Sequence, residues 1–386
     1  MFGRRITLFQ LFGFEVRVDA SWLIIAALVI WSLALGLFPA LLPGFTMGTY
    51  WWMGLVGAVG LFLSIIIHEL SHSLVARRYD LPMRGITLFI FGGVAEMGGE
   101  PQSPKVEFLM AIAGPLTSVV LGGICYGLAM MAKNGDWAPQ LVAILAYLSW
   151  INWLLAAFNM VPAFPLDGGR VLRAALWHFK KDIGSATRTA SRFGSGFGVL
   201  LMVLGVYRLF VGDFISAIWY FLIGMFLKNA SRASYEQLIL QQALAGEPVE
   251  RFMRTKPVTV PADLSIQNLV DDYLFRYDFK MFPVVRDADR LAGCVSTKDV
   301  KQIPKEEWSE HRVEEVTEPC SEVNTVTPDT DALKVLSKMR ENGVSRLLVT
   351  DHEHLVAVVS LKDLLTFVAR KLELNGGPAG LPRVPA

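Results

Sequence analysis

Cysteine is scarce. The 386 residues include three, Cys125, Cys294 and Cys320, at spacings of neither a zinc knuckle nor a redox pair. This excludes a disulfide framework and fits a reducing compartment or the bilayer. Charge is scarce too: 18% of the residues are Asp, Glu, Lys or Arg, with a formal balance of +1. Nothing global therefore directs the chain to nucleic acid. Residues 1–20 lack a short apolar run with a cleavage site, so no removable signal peptide is expected. What is abundant is apolar. Hydrophobic residues make up 53% of the sequence, and the mean hydropathy is +0.42, which points to a membrane protein.

The apolar residues are concentrated before residue 235. Six runs read as transmembrane helices, near 21–42, 52–77, 107–131, 140–160, 193–211 and 214–228. Most reach the roughly 20 residues that cross a hydrocarbon core. The last two are short and joined by "VGD", so they could form one helical hairpin. With the N-terminus in the cytoplasm, fifteen Lys and Arg of the connections fall inside, and only Lys133 and Arg208 fall outside. That asymmetry predicts both termini in the cytoplasm.

From about Tyr235 the composition changes. Two stretches, 250–306 and 314–371, each run strand, helix, apolar strand, turn, apolar strand, then Ser-x-x-Asp into a helix. Ser296–Asp299 matches Ser360–Asp363 position for position. The expected organisation is a polytopic α-helical membrane domain over 1–235, then two copies of one soluble α/β unit that pack together. Residues 372–386, ending "NGGPAGLPRVPA", read as a disordered tail.

The second apolar run ends in "HELSH". Ionisable groups are costly in a dry setting unless they have a partner or a task. On a helix His68 and His72 share a face and can grip one metal ion. Glu69 lies about 100° round, near enough to act on a metal-held water as general base. A hydrolytic zinc site needs a third protein ligand. Asp167, in the Pro- and Gly-rich "FNMVPAFPLDGGR", is on the same predicted side of the membrane. Each element also has a plainer reading. HELSH could be a polar helix end reaching the interface, and LDGG only a turn.

HELSH on the second run, together with Asn159 and "PLDGGR" after a later one, resembles the site-2 proteases, which are intramembrane zinc metalloproteases. The resemblance covers roughly residues 10–230. It implies that His68, His72 and Asp167 hold one Zn2+, that Glu69 activates water, and that Asn159 positions substrate. "AGPLTS", with Gly114 and Ser118, is similar to the family's small-residue motif, where helices approach closely. "MRGITLFIFGGVAEMGG", 83–99, is strand-prone and too short to cross. In the family this region is a re-entrant strand structure, whose edge could pair with an unwound substrate. The plainer reading is an amphipathic surface hairpin.

The two later stretches resemble CBS domains, which pair in tandem and often bind AMP, ADP or ATP. That resemblance implies adenine nucleotide contacts at Ser296, Thr297, Asp299, Ser360 and Asp363, and association of two chains. "GCVSTKDV" is the better match. "AVVSLKDL" lacks the glycine and the threonine, so the second site is expected to be the weaker. Each Asp could instead only cap its helix. The function expected is cleavage of transmembrane proteins, modulated by nucleotide. The alternative is a CBS-gated transporter or channel, which would need inward charges along several spans.

Overall fold

The computed structural model describes residues 5–81, 83–89, 92–97, 100–277, 279–286, 290–351 and 354–374. The chain divides into two compact units, 1–235 and 236–386.

The first unit opens with a β-hairpin. Strands β1 (Arg5–Leu11) and β2 (Phe14–Asp19) are joined through Phe12 and Gly13, both at positive φ. A two-residue turn with both φ positive matches the strand twist. Among the described residues, five helices of this unit are long and apolar enough to cross a membrane: α1 (Ser21–Leu41), α2 (Met47–Arg78), α3 (Pro104–Asn134), α4 (Pro139–Asn159) and α6 (Ile183–Phe210). Between α2 and α3 lie β3 (Met83–Phe89) and β4 (Gly92–Met97). Between α4 and α6 lies α5 (Asp167–Lys180). The sixth apolar run is the first half of α7 (Phe214–Leu244), which continues well past residue 228.

The four strands form one sheet in the order β1-β2-β3-β4, with β2 and β3 parallel and the other pairs antiparallel. The N-terminal hairpin and the stretch after α2 are thus one structure. Val16, Val18 and Leu88 of the sheet pack with Ile66 of α2. Arg77, near the end of α2, donates to the Phe12 carbonyl at 2.8 Å and lies over the Phe14 ring. These contacts hold the sheet against the histidine end of α2. Helices α6 and α7 approach closely, since a Cβ on Gly198 would meet the Gly224 carbonyl at 2.6 Å.

The second unit holds one eight-stranded sheet. Its strands are β5 (Arg254–Thr255), β6 (Val260–Pro261), β7 (Met281–Arg286), β8 (Arg290–Ser296), β9 (Glu318–Pro319), β10 (Thr325–Val326), β11 (Arg346–Asp351) and β12 (His354–Ser360). Its helices include α8 (Thr297–Val300), α9 (Ala332–Glu341) and α10 (Leu361–Leu374). Two apolar cores, one per repeat, include Val260, Ile266 and Phe282 in the first and Val335, Leu347 and Val359 in the second. Helix α10 runs to Leu374, three residues into the stretch expected to be a tail, and residues 375–386 lie outside the described residues.

Candidate active site

The site is built from three helices. His68 and His72 sit one turn apart on α2 and are both buried. Asp167 is the first residue of α5, and its Oδ2 lies 3.1 Å from His68 Nε2 and 3.2 Å from His72 Nε2. One ligand atom from each of the three residues falls within 4.8 Å of the others. The local chain aims Asp167 there. After α4 the backbone bends through Pro162 and Pro165 and turns straight into α5. A Cβ on Gly168 would strike the Val161 carbonyl at 2.5 Å, and one on Gly169 the Phe164 Cα at 2.5 Å. The two glycines therefore let α5 start against its own approach. LDGG is more than a turn.

The third helix holds the imidazoles in place. His68 Nδ1 is 2.8 Å from Ser118 Oγ, and His72 Nδ1 is 2.6 Å from the Met110 carbonyl. A carbonyl only accepts, so His72 carries its proton on Nδ1 and turns the Nε2 lone pair toward Asp167. Buried His72 Nε2 makes no hydrogen bond among the described residues. A buried acceptor in that condition is expensive unless a cation takes it. Gly114 lies between the two anchors, and a Cβ there would come within 2.5 Å of His68 Nε2. The donor set, two imidazoles and a carboxylate, fits zinc.

Glu69 is half-buried beside His68 and faces the sheet. A Cβ on Gly93 of β4 would lie 2.7 Å from Glu69 Cγ, so the hairpin backbone covers this carboxylate. Asn159 is half-buried at the last position of α4. Another asparagine went unnoticed in the sequence: fully buried Asn152 of α4 donates to Ser64 Oγ at 3.0 Å, one turn before His68. Its signal was an amide in the middle of an apolar run. Beside the site is a cavity of about 430 Å³, almost wholly apolar, whose walls include Trp22, Phe62, Ile65, Leu88, Leu166 and Phe226.

In the second unit both Ser-x-x-Asp motifs are helix caps. Asp299 Oδ2 accepts from the Ser296 backbone N–H at 2.8 Å and from its hydroxyl at 2.7 Å. Asp363 Oδ2 accepts from the Ser360 hydroxyl and backbone N–H, while its Oδ1 accepts from Arg254 Nε at 2.9 Å. The second motif nevertheless lines a cavity of about 520 Å³, together with Lys256, Tyr277, Phe279, Lys280, Arg346 and Lys362. Ser360 and Asp363 are in its wall, whereas Ser296, Thr297 and Asp299 are not. The wall is assembled from segments of both repeats, so motif quality in one copy does not decide it.

Comparison with known proteins agrees with this architecture. The Peptidase family M50 profile matches residues 56–135 and 127–204, and the CBS domain profile matches 249–306 and 313–370. Rip3 of Mycobacterium tuberculosis, named as a candidate zinc metalloprotease, is 33% identical over 365 residues, covering 94% of this chain and 92% of its own. Zinc metalloprotease MJ0392 of Methanocaldococcus jannaschii is 29% identical over 307 residues, covering 79% and 82%. Among solved structures, the site-2 protease from M. jannaschii is 25% identical, covers 60% of this chain and 95% of that one, and has a TM-score of 0.43. The chain belongs to peptidase family M50, the site-2 proteases, as an integral membrane zinc metalloprotease with a tandem CBS pair.

Proposed function

We propose that the chain hydrolyses peptide bonds in or near transmembrane segments of other membrane proteins, with His68, His72 and Asp167 as the zinc ligands and Glu69 as the general base. The observation that carries this is the convergence of those three side chains in a buried site. Zinc, when bound there, supplies a Lewis acid that polarises the scissile carbonyl and acidifies a water. Glu69 takes the proton of the attacking water and passes it to the leaving amine nitrogen. Ser118 and the Met110 carbonyl keep the imidazoles oriented throughout. Asn159 steadies the substrate backbone.

A helical substrate hides its carbonyls in its own hydrogen bonds, so it must unwind before cleavage. Strand β4 ends the sheet order, and its Gly93 lies against Glu69. An extended substrate segment adding to that edge would carry its carbonyls past the general base. The apolar cavity beside the site suits the side chains of a transmembrane segment. Among the described residues, the buried charged side chains of the unit, Asp19, Glu107, Asp167 and Arg173, do not mark a path across it. Asp19 accepts from the Ser21 N–H at the start of α1, and the other three gather where α3 meets α5. This favours a hydrolase over a transporter. Both termini are in the cytoplasm.

The second unit is the regulatory part. Its cavity sets the cations of Lys256, Lys280, Arg346 and Lys362 beside the rings of Tyr277 and Phe279. That suits an adenine nucleotide, with phosphates on the cations, base on the rings and ribose hydroxyls at Asp363.

The first experiment measures zinc per chain in detergent-purified protein, wild type beside His68→Ala and Asp167→Asn. One zinc in the wild type, lost in both variants, is expected. A well-folded wild type without zinc under chelator-free purification would overturn the ligand assignment.

A further inference from the structure

The mechanism leaves one buried pair unused. Glu107 is fully buried on α3, and Arg173 is 3% exposed on α5. Arg173 Nε donates to Glu107 Oε1 at 2.5 Å, and Nη2 reaches the same oxygen. Nη2 also reaches Glu100, in the segment leading from β4 to α3, at 3.3 Å. The guanidinium lies 5.1 Å from the centre of the Phe164 ring, in the bend that leads into Asp167. Arg173 therefore ties together α3, the exit of the hairpin and the approach to α5.

We propose that the Glu107–Arg173 pair positions Asp167, so that one face of α3 is the template for all three zinc ligands. This rests on the reading of Asp167 as a ligand. Glu107, Met110, Gly114 and Ser118 recur on α3 at intervals of three and four, which puts them on one face. Ser118 and Met110 hold the two imidazoles, and Gly114 leaves them room. Glu107 continues the same stripe and grips α5 instead. Asp167 and Arg173 are six residues apart on one helix, about 9 Å along its axis. A helix that short moves as a rod, so slippage at Arg173 is slippage at Asp167. Metal–ligand distances tolerate only about 0.2 Å.

A buried ion pair is a poor source of stability, because apolar side chains of similar volume often serve as well. What the planar guanidinium supplies is direction, through two donors on one acceptor and a stacked ring. That is the property a ligand-bearing helix requires.

The test uses the full chain in detergent, with zinc affinity measured by competition against a chromogenic chelator. The visible absorption of the Co2+-substituted protein reports the ligand geometry. The double variant Glu107→Leu/Arg173→Met removes both charges and keeps the volume. It is expected to retain helical content and melting temperature, to bind zinc roughly tenfold to a hundredfold more weakly, and to shift the Co2+ spectrum. Arg173→Lys keeps the charge but loses the fork, and is expected to fall between. If the double variant does not fold, Arg173→Lys decides alone. Wild-type affinity and an unchanged Co2+ spectrum in a folded variant would overturn the positioning role and leave the ligand assignment standing. A wild type without zinc would overturn both.

Discussion

The two units use the same carboxylate chemistry under opposite conditions. In the membrane unit Asp167 meets two imidazoles in a buried site, and the other end of each ring is held by α3. In the second unit Asp299 and Asp363 each accept from a serine hydroxyl at the start of a helix, and among the described residues no buried donor set gathers around either. In a dry setting every polar atom must be accounted for, so partners disclose the task. Near water a helix cap is sufficient reason for Ser-x-x-Asp, and a ligand role has to come from the cavity around it.

That contrast can be broken experimentally, and the largest effect belongs to the buried site. Glu69→Gln is expected to lower cleavage by about 10²- to 10⁴-fold while zinc stays near one per chain. Membrane fragments from cells expressing either form, compared by mass spectrometry, would show it. Cleavage at the wild-type rate would remove Glu69 from the reaction. Next comes Gly114→Ala, a one-methyl change aimed at Nε2 of both His72 and His68. Zinc affinity should fall roughly tenfold to a hundredfold, because the methyl crowds both imidazoles. A zinc titration that superimposes on wild type would mean the helices adjust freely.

The regulatory unit should respond more mildly. Asp363→Ala is expected to weaken ATP or AMP binding about tenfold, as for the loss of one charge-assisted hydrogen bond. Asp299→Ala should leave it within about twofold, since Asp299 is outside the cavity wall. Calorimetry on the full chain decides, and the opposite order would move the ligand to the first repeat.

The smallest effect is at the exposed His311. Its Nδ1 lies 2.5 Å from Glu315, and its Nε2 lies 3.4 Å from Glu307. The Glu315 hydrogen bond raises its pKa above the ordinary 6.5. The stabilisation from this contact is therefore complete below about 6.5 and fades as pH rises through the raised value. An NMR titration should place the His311 midpoint above 6.5, and Glu315→Gln should bring it back. A midpoint at 6.5 in the wild type would leave the contact without electrostatic weight.

How much of this was legible beforehand depends on how local each feature is. His68, Glu69 and His72 lie within five residues, and a helix alone puts the two imidazoles on one face. Asp167 could be reached only by counting spans, which put it on the same side of the membrane. The N-terminal hairpin was missed although "RITLFQLFGFEVRVD" alternates about a two-residue Phe-Gly turn. Its place in one sheet with β3 and β4 is a pairing across more than sixty residues. Gly114 and Ser118 were recognised only as small residues, whereas the packing gives Gly114 the room for the imidazoles and Ser118 the partner of His68.

The sequence by itself determined the composition of the molecule: apolar helices of crossing length, a histidine pair on one of them, and a duplicated α/β unit. Periodicity, run length and repetition are properties of the chain alone. Only the tertiary structure decided which side chains complete each site. It brought Asp167 to the histidines across ninety-nine residues, set α3 behind them, and put Asp363 in the wall of a cavity built from both repeats. Those outcomes depend on how helices and strands pack against one another. Packing joins positions whose separation in the chain carries no information about their distance in space.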